Sequence, residues 1–590
     1  MRYSSTEAPR FFHIRHKPSN RSFKFKPVPV HFKVLIAMMI SALVYVPILS
    51  TTKPVRVGDG SEYYAMALAW SETHRPYMTT AAWEYYDQLY RSNAIPGINT
   101  AEELKSYSPR LMLNKSQDFN HFWFYSLGAA LFVEIGDYTG ITIPVHTGFM
   151  LLHSLLLAGL LFVAWQLFGW RGLLAALVLT FLSPALWYLD KVHTEFFTFC
   201  MTTIAVILFI KNRFLLASLF LAMGGTQNPS FSIISLAVLG YWLVRHLKFR
   251  LRLHEIFLAA LTLSVTALHP LYYFFRFGVL DPQFLAGVAA VGNNLAHVLT
   301  WFFDPDLGLL PNWPLAIILS LFAVWILIKR RQQINVVQYF FFYLMFVSVS
   351  LLAQSSTVNL NSGASPGLAR YATWYIGLFF PIAVTLIRST EKTDFKLSVL
   401  ILLLGFSALY SARNFWPWGT STAHCHPSAV SYWVQKNVPW LYSPPPEVFT
   451  ERYSGICETA SAKENIAVIG PDCRKVLVSN PTGRSGLTIT GAAGCGYDFS
   501  KLGKLIDTKI SSGEWTTYTA YQQMTRQDAS GYQFDPIPGI WYSVAFGQSL
   551  AAAVGVDPDA WSLLGKDGVW TVGSQSTLLI PCPRTGKVPN

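Results

Sequence analysis

The sequence predicts a polytopic α-helical membrane protein of about eleven transmembrane helices with a mixed α/β extracytoplasmic domain at its C-terminus. Three observations predict it. Hydrophobic residues make up 52% of the 590-residue chain and charged residues only 13%, against about 25% charged in soluble globular proteins. Apolar stretches approaching spanning length recur between residues 33 and 412, with basic clusters on alternate links between them. After Asn414 the apolar runs shorten, Pro, Gly, Ser and Thr rise, and five of the six cysteines follow.

Residues 1–32 read as a cytoplasmic basic tail carrying Arg2, Arg10, Arg15, Lys17, Arg21, Lys24 and Lys26. The apolar stretch Val34–Ser50 follows without a small-residue cleavage site, so it reads as a first anchor rather than a cleaved signal. Residues 33–412 form the predicted transmembrane domain. A spanning helix needs about 20 mostly apolar residues. Candidate stretches are 33–50, 144–168, 171–188, 194–210, 214–226, 229–244, 255–275, 313–328, 337–354, 371–387 and 397–412.

Charge tests this partition. With the tail in the cytoplasm, the cytoplasmic links are 169–171, 211–213, 245–252, 329–331 and 388–396, which hold most dense Lys and Arg clusters. The opposite links, 190–193, 225–229, 277–312 and 354–370, are richer in acidic, amide, Pro and Gly residues. This is the positive-inside pattern. It accounts for the formal net charge of +13 without nucleic-acid binding. An odd helix count then places residues 413–590 outside. The long non-cytoplasmic loop 51–143 contains Tyr63–Trp70 and Phe119–Glu134, expected as helices lying in the interface.

In the C-terminal domain, Ile466–Ile469, Lys475–Val478, Gly486–Thr490 and Gly568–Val572 read as strands. Ala423–Lys436 and Phe499–Lys509 read as helices. Cys425, Cys457, Cys473, Cys495 and Cys582 suit an oxidising compartment, with at most two bridges and one cysteine over. No CxxC pair points to zinc. Cys200 reads as a small buried apolar residue.

Four polar motifs carry candidate chemistry. Gly58-Asp59-Gly60-Ser61-Glu62 follows the first span. Asp59 reads either as a helix cap, with Glu62 near a capping-box position, or as a general base that takes a proton from an attacking hydroxyl. Asp118-Phe119-Asn120-His121-Phe122-Trp123 reads either as an interfacial belt or as an edge that meets sugar or phosphate. Asp190-Lys191-Val192-His193-Thr194-Glu195 offers ionisable groups at a helix end. The Gly225–Pro229 turn adds Gln227 and Asn228. Arg370 is the basic residue of its loop, against the positive-inside trend. It reads either as an anion binder, because guanidinium matches phosphate with paired donors, or as a side chain that snorkels to lipid headgroups. No GxxxxGK[ST] or HExxH motif occurs, which disfavours an ATP-driven pump and a zinc protease.

In order along the chain, these motifs resemble the GT-C superfamily of membrane glycosyltransferases, which includes protein mannosyltransferases and lipid A aminoarabinose transferases. The resemblance covers residues 30–412. It rests on the acidic motif Val57–Tyr64, the long first loop, Gly169-Trp170-Arg171-Gly172, Ser183-Pro184 with His193-Thr194-Glu195, Phe303–Pro311, and Gly363–Tyr371. It implies transfer of a sugar from a polyprenyl-phosphate donor to a cell-envelope acceptor, in a bacterial inner membrane with the C-terminal domain periplasmic. Asp59 would be the base, Glu62 would position the acceptor, and Arg370 would bind the donor phosphate with Lys191 or His193. Glu195, His121 and Asn228 complete the candidate set. Gly58-Asp59-Gly60 departs from members with an Asp-Glu pair. No cofactor or obligatory metal is expected. The alternatives are a lipid-linked-sugar flippase or other transporter, and a non-catalytic envelope assembly protein. A transporter would place polar groups near the midplane, whereas these collect at helix ends.

Overall fold

The structure, a computed structural model, describes residues 28–246, 251–286, 299–329, 336–355, 363, 365–390, 394–417, 421–438, 441–442, 444, 448, 451–452, 465–469, 475–479, 489–490, 504, 508, 520–528 and 531–536. Most of the basic tail lies outside these residues, as do the strand expected at 568–572, most of the helix expected at 499–509, and Cys457, Cys473, Cys495 and Cys582. The chain separates into two compact units. One comprises Met1–Phe303, Leu309–Ser355 and Arg370–Thr420; the other comprises Asp304–Gly308, Ser356–Ala369 and Ser421–Asn590.

The first unit is helical. It opens with α1 (Val30–Thr51), α2 (Gly60–Thr73), α3 (Thr80–Arg91) and α4 (Ala101–Tyr107). Thr79 caps α3 by accepting from Ala82 N, and Thr100 with Glu103 forms a capping box on α4, as short polar-flanked helices require. A two-stranded turn, β1 (Met112–Leu113) and β2 (Ser116–Gln117), leads to α5 (Phe124–Thr139) and α6 (Val145–Phe181). Helix α6 is broken at Gly169, whose φ of 66° lies in the left-handed region. That break falls between the two stretches expected at 144–168 and 171–188. A 3-10 turn, Pro184–Leu189, then enters α7 (Thr194–Ile210), which is followed by α8 (Phe214–Gln227), α9 (Pro229–His246) and α10 (Leu253–Phe277). The short helices α11 (Gln283–Ala286), α12 (Thr300–Phe303) and α13 (Leu309–Asn312) precede α14 (Pro314–Lys329) and α15 (Val336–Ser355). A 3-10 stretch, Arg370–Phe379, runs into α16 (Phe380–Thr390), and α17 (Asp394–Asn414) closes the unit.

Every predicted stretch contains helix, but five helical segments among the described residues are long and apolar enough to cross a membrane: Val30–Thr51, Val145–Phe181, Leu253–Phe277, Arg370–Ser389 and Leu397–Asn414. Thr194–Ile210, Phe214–Gln227 and Pro314–Lys329 are apolar but shorter. Large apolar side chains stand outward on the long helices, such as Leu43 at 73%, Phe275 at 79% and Leu409 at 75% exposed. Exposed large apolar side chains on helices of spanning length suit contact with another apolar phase. The protein is a helical membrane protein.

Helix α7 is buried along all of its residues and packs on α6, α8 and the 370–379 stretch. The approach to the last is close: a Cβ on Gly377 would lie 2.7 Å from Thr203 Oγ1 and 3.2 Å from its Cα. Gly377→Ala is therefore expected to cost about 1–3 kcal/mol of stability by overpacking, read as a lower thermal midpoint in lipid nanodiscs. A midpoint equal to wild type would show that the contact yields freely.

Of the two helices expected in the interface, α2 has no exposed face over residues 60–69. Tyr63, Tyr64, Ala65, Met66, Ala67 and Ala69 are all buried, so α2 is a core helix packed on α5 and α3. Its mixture of alanines with large apolar and aromatic residues fills space on all sides instead of forming one apolar stripe.

In the second unit the described strands are β3 (Asn465–Ile469), β4 (Lys475–Ser479), β5 (Ile489–Thr490), β6 (Ala520–Asp528) and β7 (Gly531–Pro536), in sheet order β5-β3-β4-β6-β7. β3 runs antiparallel to β4 and parallel to β5, and β6 and β7 form a hairpin. The polar β6–β7 hairpin carried no strand signal in the sequence reading. Helix α18 (Ala429–Asn437) starts at Ser428, whose hydroxyl accepts from Ser431 N. Asp306 accepts from Ser428 N and the Ser431 hydroxyl at 2.8 Å each, and Tyr442 donates to Asp304 at 2.9 Å. The Phe303–Pro311 motif thus places two acids among C-terminal residues, where they are consumed in packing. Cys425 is disulfide-bonded.

Candidate functional site

The Gly-Asp-Gly motif has a physical explanation. Gly58 has φ 49°, a left-handed turn that suits glycine. Gly60 sits so near the 190–193 loop that a Cβ would lie 3.3 Å from Val192 O. Between them, Asp59 occupies the position before α2, but its side chain makes no capping hydrogen bond. The cap reading is corrected: the carboxylate is directed elsewhere.

It meets Arg370. Arg370 Nη1 donates to Asp59 Oδ2 at 2.7 Å across 311 residues of sequence, and Nη2 donates to the Tyr371 hydroxyl at 2.8 Å. Arg370 Nη1 also lies 3.0 Å from His193 Nε2, and Arg370 Nε is 3.7 Å from Glu195 Oε1. His193 Nδ1 contacts Glu195 Oε2. From the first loop, His121 Nδ1 is 2.7 Å from Glu62 Oε2 and His121 Nε2 is 3.5 Å from Asp59 Oδ2. The ring of Tyr63 lies between both imidazoles, 5.4 Å from His121 and 5.7 Å from His193. Three carboxylates, one guanidinium and two imidazoles therefore form one cluster within the first unit.

Exposure within the cluster is uneven. Glu195 and His193 are each 1% exposed, whereas the Asp59 side chain keeps 28% and His121 24%. Solvent reaches the cluster at Asp59 and His121. Burial would raise the Asp59 carboxyl, but Arg370, His121 and His193 together hold it well below the usual carboxylate range. Burial would lower the His121 imidazole, but Glu62 and Asp59 outweigh it and raise it to about 9.

The sign of the pH effect follows. A histidine with a raised pKa stabilises the fold fully below its unfolded value of about 6.5 and loses that contribution as pH rises through the folded value. Thermal stability is expected to fall as pH rises from about 6.5 through about 9. His121→Gln should flatten this slope. An identical slope in the variant would assign the effect to another group. Asp59, with its depressed pKa, adds stability that is lost only on acidification.

Two candidates do not join the cluster. Lys191 is 0% exposed, its ammonium is paired with Asp190, and it sits 4.9 Å above the Trp187 ring. Its charge is thus paired with that carboxylate. The Asn228 amide lies 3.4 Å from the Thr198 hydroxyl at the α8–α9 turn, where it ties two helices together. Tyr63 and Tyr371 lie within the Val57–Tyr64 and Gly363–Tyr371 motifs, but the sequence assigns neither a role; tyrosines are too common in this chain to stand out. Among the described residues no group of three or more His, Cys, Asp or Glu side chains is arranged to hold a metal ion.

Chemically, the cluster pairs an accessible carboxylate with a cation suited to an anion, braced from behind by buried acid–imidazole contacts. No protein-family model and no curated protein sequence matches the chain.

Proposed function

We propose that this protein is a glycosyltransferase of GT-C type that moves a sugar from a polyprenyl-phosphate donor to a hydroxyl of an extracytoplasmic cell-envelope acceptor. The observation that carries the reading is the Asp59–Arg370 contact, which unites the two residues the reaction most needs. In the resting cluster each occupies the other. A donor phosphate takes the guanidinium with paired hydrogen bonds, and Asp59, relieved of its cation, becomes more basic. The acceptor oxygen then attacks the anomeric carbon as the carbon–oxygen bond to phosphate breaks. The bonding pair leaves with the phosphate, and the acceptor proton passes to Asp59.

Arg370 stabilises charge on the leaving phosphate, and His193 with Glu195 fixes the guanidinium from the buried side. His121 lines the open side and orients the acceptor, held in place by the buried Glu62. One base and one leaving-group clamp imply inversion at the anomeric carbon. In this reading about eleven helices span the bacterial inner membrane, the N-terminus is cytoplasmic, and residues 413–590 are periplasmic. The disulfide at Cys425 supports an oxidising location. The test is mass analysis of envelope glycans, lipids and glycoproteins from cells with and without the protein. One sugar fewer on a defined acceptor, with inverted linkage, is expected. Identical profiles would refute the proposal.

A further inference from the structure

The segment that carries His121 is held by more than its own turn. Asp118, three residues earlier, has a side chain 3% exposed. It accepts from Arg276 Nε at 3.0 Å and Nη2 at 2.6 Å and from the Tyr272 hydroxyl. Arg276 Nη2 also reaches the Ser116 hydroxyl at 3.1 Å, and the guanidinium carbon lies 3.9 Å over the Tyr77 ring. One turn back on the same helix, the Tyr273 hydroxyl donates to Phe119 O at 2.8 Å and lies 3.3 Å from His121 O. Phe122 packs edge-on against His269 at 5.0 Å. The last two turns of α10 therefore grip residues 116–122 from both ends, across more than 150 residues of sequence.

We propose that Arg276 is a positioning residue: by clamping Asp118 it fixes the 116–122 segment on α10 and so holds His121 against Glu62 and Asp59. Arg276 touches neither Asp59 nor Arg370; it acts through the backbone between Asp118 and His121. The bidentate geometry supplies direction as well as attraction, which a single hydrogen bond from Tyr272 does not. The groups that face His121 are Glu62 and Asp59, with Arg370 behind Asp59, the Tyr63 ring, and the Tyr273 hydroxyl on its carbonyl. Of these, the two carboxylates attract the imidazolium, and their contact depends on where the 116–122 segment lies.

Short-pulse carbethoxylation of the full-length protein in lipid nanodiscs, read at His121 by mass spectrometry, reports the neutral fraction of that imidazole at each pH. The wild-type midpoint is expected near 9. Arg276→Ala and Asp118→Asn should each lower it by about one pH unit or more, toward the ordinary histidine value. Arg276→Lys, which keeps the charge without the paired donors, should fall between. A wild-type midpoint in folded Asp118→Asn and Arg276→Lys proteins overturns the proposal even if Arg276→Ala fails to fold.

The catalytic consequence rests on the transfer reading: kcat should fall about 10- to 100-fold with the donor KM little changed. The two claims fail separately. Sugar transfer by a folded Asp59→Asn protein would remove Asp59 as the base and leave the midpoint result standing. An unmoved midpoint would remove the clamp and leave the reaction standing.

Discussion

Asp59→Asn is expected to abolish sugar transfer while leaving the protein folded. A positioned general base contributes about 10²–10⁴ in rate, and asparagine fills the same volume but cannot take a proton. It still accepts a hydrogen bond from Arg370 Nη1, the contact now made at 2.7 Å. Glu195 remains beside the guanidinium at 3.7 Å, so Arg370 is not stranded without a carboxylate. The variant should therefore insert and fold, with a thermal midpoint below wild type by the lost Asp59–Arg370 charge pairing. The measurement is envelope glycan composition in cells carrying only Asp59→Asn, with thermal unfolding of the purified protein as control. Wild-type product from a folded variant would eliminate Asp59 as the base, and with it the chemistry proposed for the cluster.

Arg370→Met should have the largest effect on stability. The guanidinium is buried to 6% exposure and faces Asp59 and Glu195. Removing one side of a buried ion pair strands its partner and costs about 3–5 kcal/mol. Glu195, itself 1% exposed, would keep His193 as its charged partner. The loss should shrink at acid pH, where protonation relieves the stranded carboxylates. Because Asp59 and Arg370 share one contact, Asp59→Asn combined with Arg370→Met should cost less than the two single losses added. Thermal midpoints of the four proteins in nanodiscs decide it, and strict additivity would show that the pair is not coupled. Arg370→Lys separates stability from function. It keeps the charge and most of the fold but lacks the planar paired donors that fit phosphate, so the donor KM should rise.

Helix positions were readable because they follow from local composition. Uninterrupted apolar runs leave backbone groups no partner but their own helix once water is excluded. The break at Gly169 was legible as a short basic link. The buried state of α2 was not, because alanines and large apolar residues are mixed there without a single apolar face. The β6–β7 hairpin, Ala520–Asp528 with Gly531–Pro536, is too polar to announce strands. The acids Asp304 and Asp306 gave no sign locally of engaging Ser428, Ser431 and Tyr442.

For the site, sequence by itself determined which residue types were available and that they sit at the ends of apolar stretches. Asp59, Glu62, His121, His193, Glu195 and Arg370 could all be named from polar groups flanking hydrophobic runs. Only the tertiary structure decided that these six converge, that Lys191 is neutralised by Asp190 instead, and that Arg276 on α10 secures the His121 segment through Asp118. The physical reason is range. Hydropathy and turn chemistry act over a few residues, whereas an ion pair spanning 311 positions depends on how α2, α7 and the 370–379 stretch pack, which no local pattern encodes.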